Sequence, residues 1–122
     1  MVDKTARLRW RAQRIQNYLN RLPLREYRAI VFGSVARGDF ILESDTDLLI
    51  ISDELPESPK DRLDILFDLR LETPEIEPLG WREADYQRRQ AAGDPFLTIL
   101  DQEGIPWEIF AQHGSIQPHP SV

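Results

Sequence analysis

The sequence predicts a small α/β (α+β) domain, because short β-prone apolar runs alternate with stretches of helical periodicity in a chain the size of one domain. Tyr27 to Phe32 and Thr46 to Ser52 are the clearest strands, and Asp3 to Leu22 and Asp61 to Leu71 the clearest helices. With 122 residues, 41% of them hydrophobic, the chain can build one modest core, to which an oligomeric partner or a ligand would add stability. The expectation is one domain over residues 1–111 and a disordered tail over residues 112–122.

Asp3 to Leu22 spaces Leu8, Ile15, Tyr18, Leu19 and Leu22 as an amphipathic helix does, and Pro23 closes it. Tyr27 to Phe32 is too short for a helix and ends at Gly33-Ser34. Ser34 is expected to cap a short helix from Val35, which Gly38 stops. After a loop to Ser44, the continuous apolar run Leu48 to Ile51 reads as a buried strand. A Pro-containing acidic loop, Asp53 to Pro59, precedes the second helix, on which Leu63, Leu66, Phe67 and Arg70 keep helical spacing. Glu75 to Leu79 is a candidate third strand, for which Pro74 and Pro78 argue an edge position or a bulged end. Arg82 to Ala92 and Phe96 to Gln102 read as helices parted by Gly93-Asp94-Pro95, and Ile105 to Phe110 as a last strand.

Composition removes several chemistries. The chain has no Cys, so disulfides, thiolate metal sites and a cysteine nucleophile are excluded. Any metal must sit on oxygen ligands or on His113 and His119, which the Pro-flanked tail marks as bystanders. The formal net charge of -6 opposes a long polynucleotide partner. No apolar run approaches the roughly 20 residues that span a bilayer. The Arg-rich start has no signal-peptide core, so a soluble cytoplasmic protein with no membrane role is expected. Trp81 and Trp107 read as core or interface aromatics, Asp39 and Glu43 as loop solvation, and the Arg-rich first helix as a solvated face.

The segment from Gly33 to Asp47 is where local structure becomes chemistry. Gly33 lets the backbone turn sharply and leaves room for a phosphate. Ser34 brings a hydroxyl to the free amides of a helix start. Asp45 and Asp47 stand two apart on an extended segment, so both carboxylates project to one face. Such a pair repels itself unless a cation or proton lies between, and hard oxygen ligands suit Mg²⁺ or Mn²⁺. Arg37 could neutralise phosphate charge or remain a surface helix residue. Alone, a Gly-Ser is commonly a cap and an Asp-x-Asp a solvated loop. In this order, between two apolar strands, they point to a joint phosphate and metal site.

Gly33-Ser34, ten residues, then Asp45-Thr46-Asp47 resembles the signature of minimal nucleotidyltransferases in the DNA polymerase β superfamily. Arg37-Gly38-Asp39 and Ser44 to Leu48 look like that family's usual fillers, and the resemblance runs to about Phe110. It implies a polymerase β-like fold, a small mixed β-sheet flanked by helices. It also implies ATP with Mg²⁺ and transfer of a nucleoside monophosphate to a hydroxyl. Asp45 and Asp47 would hold the metals, Gly33 and Ser34 the nucleotide phosphates. A third carboxylate in such proteins precedes a helix that opens with a Thr-Pro-Glu-Glu-like turn. Arg82 to Tyr86 fills that turn, and counting back five residues selects Glu77 as ligand and base, with Glu75 the runner-up. Glu stands where the commonest pattern has Asp.

Free-standing domains of this kind are often antitoxins of all-helical HEPN ribonuclease toxins. The resemblance therefore implies AMP transfer from ATP to a hydroxyl, expected on a Tyr of a HEPN-family toxin partner. Two other readings stand beside it. One is a non-catalytic ATP-binding antitoxin module acting by complex formation. The other is a small-molecule, aminoglycoside-like nucleotidyltransferase, whose cleft would need a further helical domain.

Overall fold

Two apolar strands centre the computed structural model, which describes residues 4–114: β1, Arg28–Phe32, and β2, Thr46–Ile51. They pair antiparallel, with Arg28 opposite Ile51 and Phe32 opposite Asp47. β3, Ile76–Trp81, runs parallel to β2, and the two-residue β4, Ile105–Pro106, antiparallel to β1. The strand order β3-β2-β1-β4 makes a mixed sheet with β3 on an edge, where Pro78 withholds no ladder donor that an inner strand would need.

Six helices surround this sheet among the described residues: α1 (Lys4–Leu19), α2 (Gly33–Arg37), α3 (Pro59–Asp68), α4 (Glu83–Ala91), α5 (Pro95–Glu103) and α6 (Trp107–His113). None is long and apolar enough to cross a membrane. The unbroken run Leu48 to Ile51 has a simple cause, since both sheet faces are covered. Leu48 and Ile50 pack with Ile15, Tyr18, Leu66, Trp107 and Phe110. Leu49 and Ile51 pack with Trp81, Leu97 and Leu100 on the other face. Trp81 and Trp107 are thus core residues.

The structure moves several boundaries. α3 starts at Pro59, two residues before the expected Asp61, because the Ser58 hydroxyl caps it by accepting from Asp61 N and Pro59 fits the first turn. Ile105 to Phe110 is not a strand beyond Pro106. Trp107, Phe110 and Ala111 are buried at helical spacing, and burying that face beside α1 makes the segment α6. Gln112 and His113 accordingly close α6 instead of opening a tail. Residues 115–122 of the expected tail, His119 included, lie outside the described residues.

α1 and α3 are tied together at the carbonyl groups that end α3, which lack intrahelical donors. The buried Tyr18 hydroxyl donates to Leu66 O at 2.7 Å, and Arg21 Nε donates to Leu69 O at 3.1 Å. Tyr18→Phe removes the first of these donors while keeping the ring. Urea denaturation is expected to show a loss of about 1–2 kcal/mol, the cost of a buried carbonyl left without its partner.

Candidate active site

The antiparallel register of β1 and β2 seats Gly33, the first residue after Phe32, beside Asp47. Gly33 has φ +76°, in the left-handed region that side chains avoid, and a Cβ there would collide with the Asp47 carboxylate. Gly33 thus serves twice, turning the chain into α2 and letting the Asp47 carboxylate pack directly against the backbone. α2 ends at Gly38, φ +86°, whose amide returns to Ser34 O at 2.9 Å. Ser34 is not the helix cap that the sequence suggested. Phe32 occupies the cap position with no side-chain hydrogen bond, so the Ser34 hydroxyl sits inside the first turn.

Asp45 lies exposed just before β2, and Asp47 is half-buried within it. Burial first, then the charges of Asp45 and Glu77, push the Asp47 carboxyl above its ordinary range, with Arg37 pulling back only in part. Asp45, Asp47 and Glu77 therefore share one field. Glu77 reaches it because β3 aligns Glu77 with Asp47 in the parallel ladder. Its carboxylate accepts from Arg70 Nη2 at 3.2 Å.

Glu75, the other candidate, is committed elsewhere. It accepts from Arg14 Nε at 2.7 Å and Arg14 Nη2 at 2.9 Å, which ties it to α1. Burial raises its pKa, but the Arg14 hydrogen bond, its own amide and the charges of Arg14 and Arg11 outweigh this and leave it low. Arg37 is paired with Asp39 and Glu103, each at 3.2 Å, on an exposed rim near Asp47. Asp39 is therefore an ion-pair partner as well as a loop residue, while Glu43 stays exposed.

One residue essential to this arrangement escaped the sequence reading. Arg11 is 1% exposed, yet it carries a guanidinium that donates to Thr46 Oγ1 at 2.9 Å, Ile41 O at 3.0 Å and Leu42 O at 3.1 Å. Its group also lies 5.2 Å from the ring centroids of Trp10 and Phe40. Burial lowers its pKa, an effect opposed by the charges of Glu75 and Asp45. Arg11 thereby clamps the loop from α2 to the β2 end that bears both aspartates. A signal was available, since position 11 falls on the apolar helix face with Ile15 and Tyr18.

Asp45, Asp47 and Glu77 are hard oxygen donors, with Glu77 opposite Asp47 in the ladder and Asp45 two residues before it, so the chemistry of the donor set fits a divalent cation such as Mg²⁺. Among the described residues no three acidic or His side chains form a ready cage, and Glu77 is turned onto Arg70. His113 lies exposed at the end of α6.

The family model described as a nucleotidyltransferase domain matches residues 12–101, a span that holds every candidate site residue. The fold is similar to that of a candidate nucleotidyltransferase from Sulfolobus solfataricus, known from a crystal structure. The TM-score is 0.51 at 18% identity, over 72% of this chain and 82% of that one. A comparison with curated proteins finds no match.

The crowding at Asp47 has a consequence for stability. A carboxyl whose pKa is raised by folding binds its proton more readily in the folded chain, so stability falls as pH rises through its titration. Asp47→Asn is therefore expected to raise the melting temperature at neutral pH in EDTA. That gain should vanish as pH drops below the ordinary Asp range, where both forms are uncharged. Thermal melts from pH 3 to 8 check this, and a gain independent of pH would contradict it.

Proposed function

The chain belongs to the nucleotidyltransferase domain family, and on that premise we propose that it transfers AMP from ATP to a hydroxyl of a protein partner, a Tyr of a HEPN-type toxin. The observation that carries this reading is the pairing of Phe32 with Asp47, which brings the Gly33-Ser34 turn against the acidic group. A triphosphate laid on that turn would put its phosphorus next to Asp45 and Asp47.

Gly33 contributes clearance, and Ser34 a hydroxyl and backbone amides for the β- and γ-phosphates. Asp45 and Asp47 would hold Mg²⁺, with Glu77 as third ligand. When bound, the cation screens phosphate charge and stabilises the attacking and leaving oxygens of an in-line displacement. Glu77 would also accept the proton of the incoming hydroxyl, whose oxygen bonds to the α-phosphorus as the bond from that phosphorus to the bridging oxygen breaks and pyrophosphate leaves. Arg37, at the rim, can exchange an exposed carboxylate partner for a phosphate oxygen at little cost. The open setting of Asp45 supports a hydroxyl borne on a large partner.

Incubation of the purified protein with α-³²P-labelled ATP, Mg²⁺ and the HEPN-type partner tests the proposal. Label is expected on a partner Tyr. Asp45→Asn/Asp47→Asn should abolish it, and Glu77→Gln should slow it by about 10²-fold, the usual worth of a general base. A stable complex without label would leave a non-catalytic binding module instead. Label on an aminoglycoside but not on protein would favour the small-molecule reading.

A further inference from the structure

Arg70, which helical spacing grouped with Leu63, Leu66 and Phe67, belongs to the turn that follows α3, seven residues before Glu77. Its guanidinium is held on three sides. Nη2 donates to Pro74 O, the group lies 4.6 Å from the Phe67 ring centroid, and Nη2 reaches Glu77 Oε1 at 3.2 Å. The Arg70 side chain is 23% exposed and that of Glu77 40%. Arg70 is therefore the anchored member of the pair, and Glu77, joined by one long hydrogen bond, the movable one.

The electrostatics give this contact a purpose. Glu77 stands opposite Asp47 in the ladder, and after burial and Asp45 its charge is a further cause that raises the Asp47 pKa. The Arg70 guanidinium gives the Glu77 carboxylate a cationic partner in this arrangement. A divalent cation and Arg70 then compete for one carboxylate.

Resting on the nucleotidyltransferase reading of this site, we propose that Arg70 is a positioning residue that holds Glu77 away from Asp45 and Asp47 until a divalent cation draws it off. Arg70 touches no reacting atom in this role. It sets the cation concentration at which the third carboxylate joins the site, and so opposes assembly of the site in the absence of metal.

Mn²⁺ binding tests this, with the free ion counted by electron paramagnetic resonance in the presence of a non-hydrolysable ATP analogue. Arg70→Met is expected to bind Mn²⁺ about threefold more tightly than the parent protein, the scale of a part-exposed ion pair. Arg70→Lys, which keeps the charge without the planar fork, should gain less and serves as the variant least disturbing to the fold. In a Glu77→Gln background the Arg70 substitutions should leave Mn²⁺ affinity unchanged, which a purely structural effect of Arg70 would not do. Weaker or unaltered binding in the Arg70 variants, or an equal gain with Glu77→Gln, overturns the proposal. The underlying site reading fails separately, if Asp45→Asn/Asp47→Asn leaves Mn²⁺ binding intact.

Discussion

The antiparallel pairing of Phe32 with Asp47 is the constraint on which the rest of the structure depends. It brings the end of one strand and the start of the next to a single rim, where a glycine in a left-handed conformation faces a carboxylate. A one-residue slip would send Asp47 to the opposite face and carry Leu48 and Ile50 out of their packing with Ile15 and Tyr18. Core and site therefore enforce the same register. The cost is concentrated at Asp47, whose burial next to Asp45 and Glu77 disfavours its charge in the absence of a cation.

Arginines hold this rim in place. Arg11 fixes the loop ahead of Asp45, Arg14 takes Glu75 out of the acidic cluster, and Arg70 anchors Glu77. At the far side of β3, Arg62 repeats the pattern. It donates to Pro56 O, Glu57 O and Asp85, binding the acidic loop and α4 to α3. Arg11, Arg14 and Arg62 each use several donors in one plane, which a guanidinium supplies and an ammonium does not.

Arg70 and Arg14 sort two glutamates that stand only two residues apart. Glu75 ends in the turn before β3, facing α1, while Glu77 sits in the ladder opposite Asp47. The same division of labour suits the proposed chemistry, in which one carboxylate must stay structural and the other must be free to move. Family membership agrees with a transferase.

Local spacing determined much of this protein. Short β-prone apolar runs and period-3.6 patterns located three of the strands and most of the helices to within a few residues, and the order of Gly33, Ser34, Asp45 and Asp47 marked the candidate site, because those signals live in residues close along the chain. Packing decided the remainder. Whether Glu75 or Glu77 faces Asp47, whether Arg11 is buried, and whether Trp107 to Phe110 coil against α1 each turn on partners distant in sequence, such as Arg14 with Glu75 or Arg11 with Thr46. The Ser34 cap failed for a related reason: with Gly33 beside Asp47, the helix starts at Gly33, two residues earlier than a Ser34 cap allows. Such choices are energetic contests between elements, settled by burial and charge pairing once strands have taken their register, and no spacing within one segment encodes their outcome.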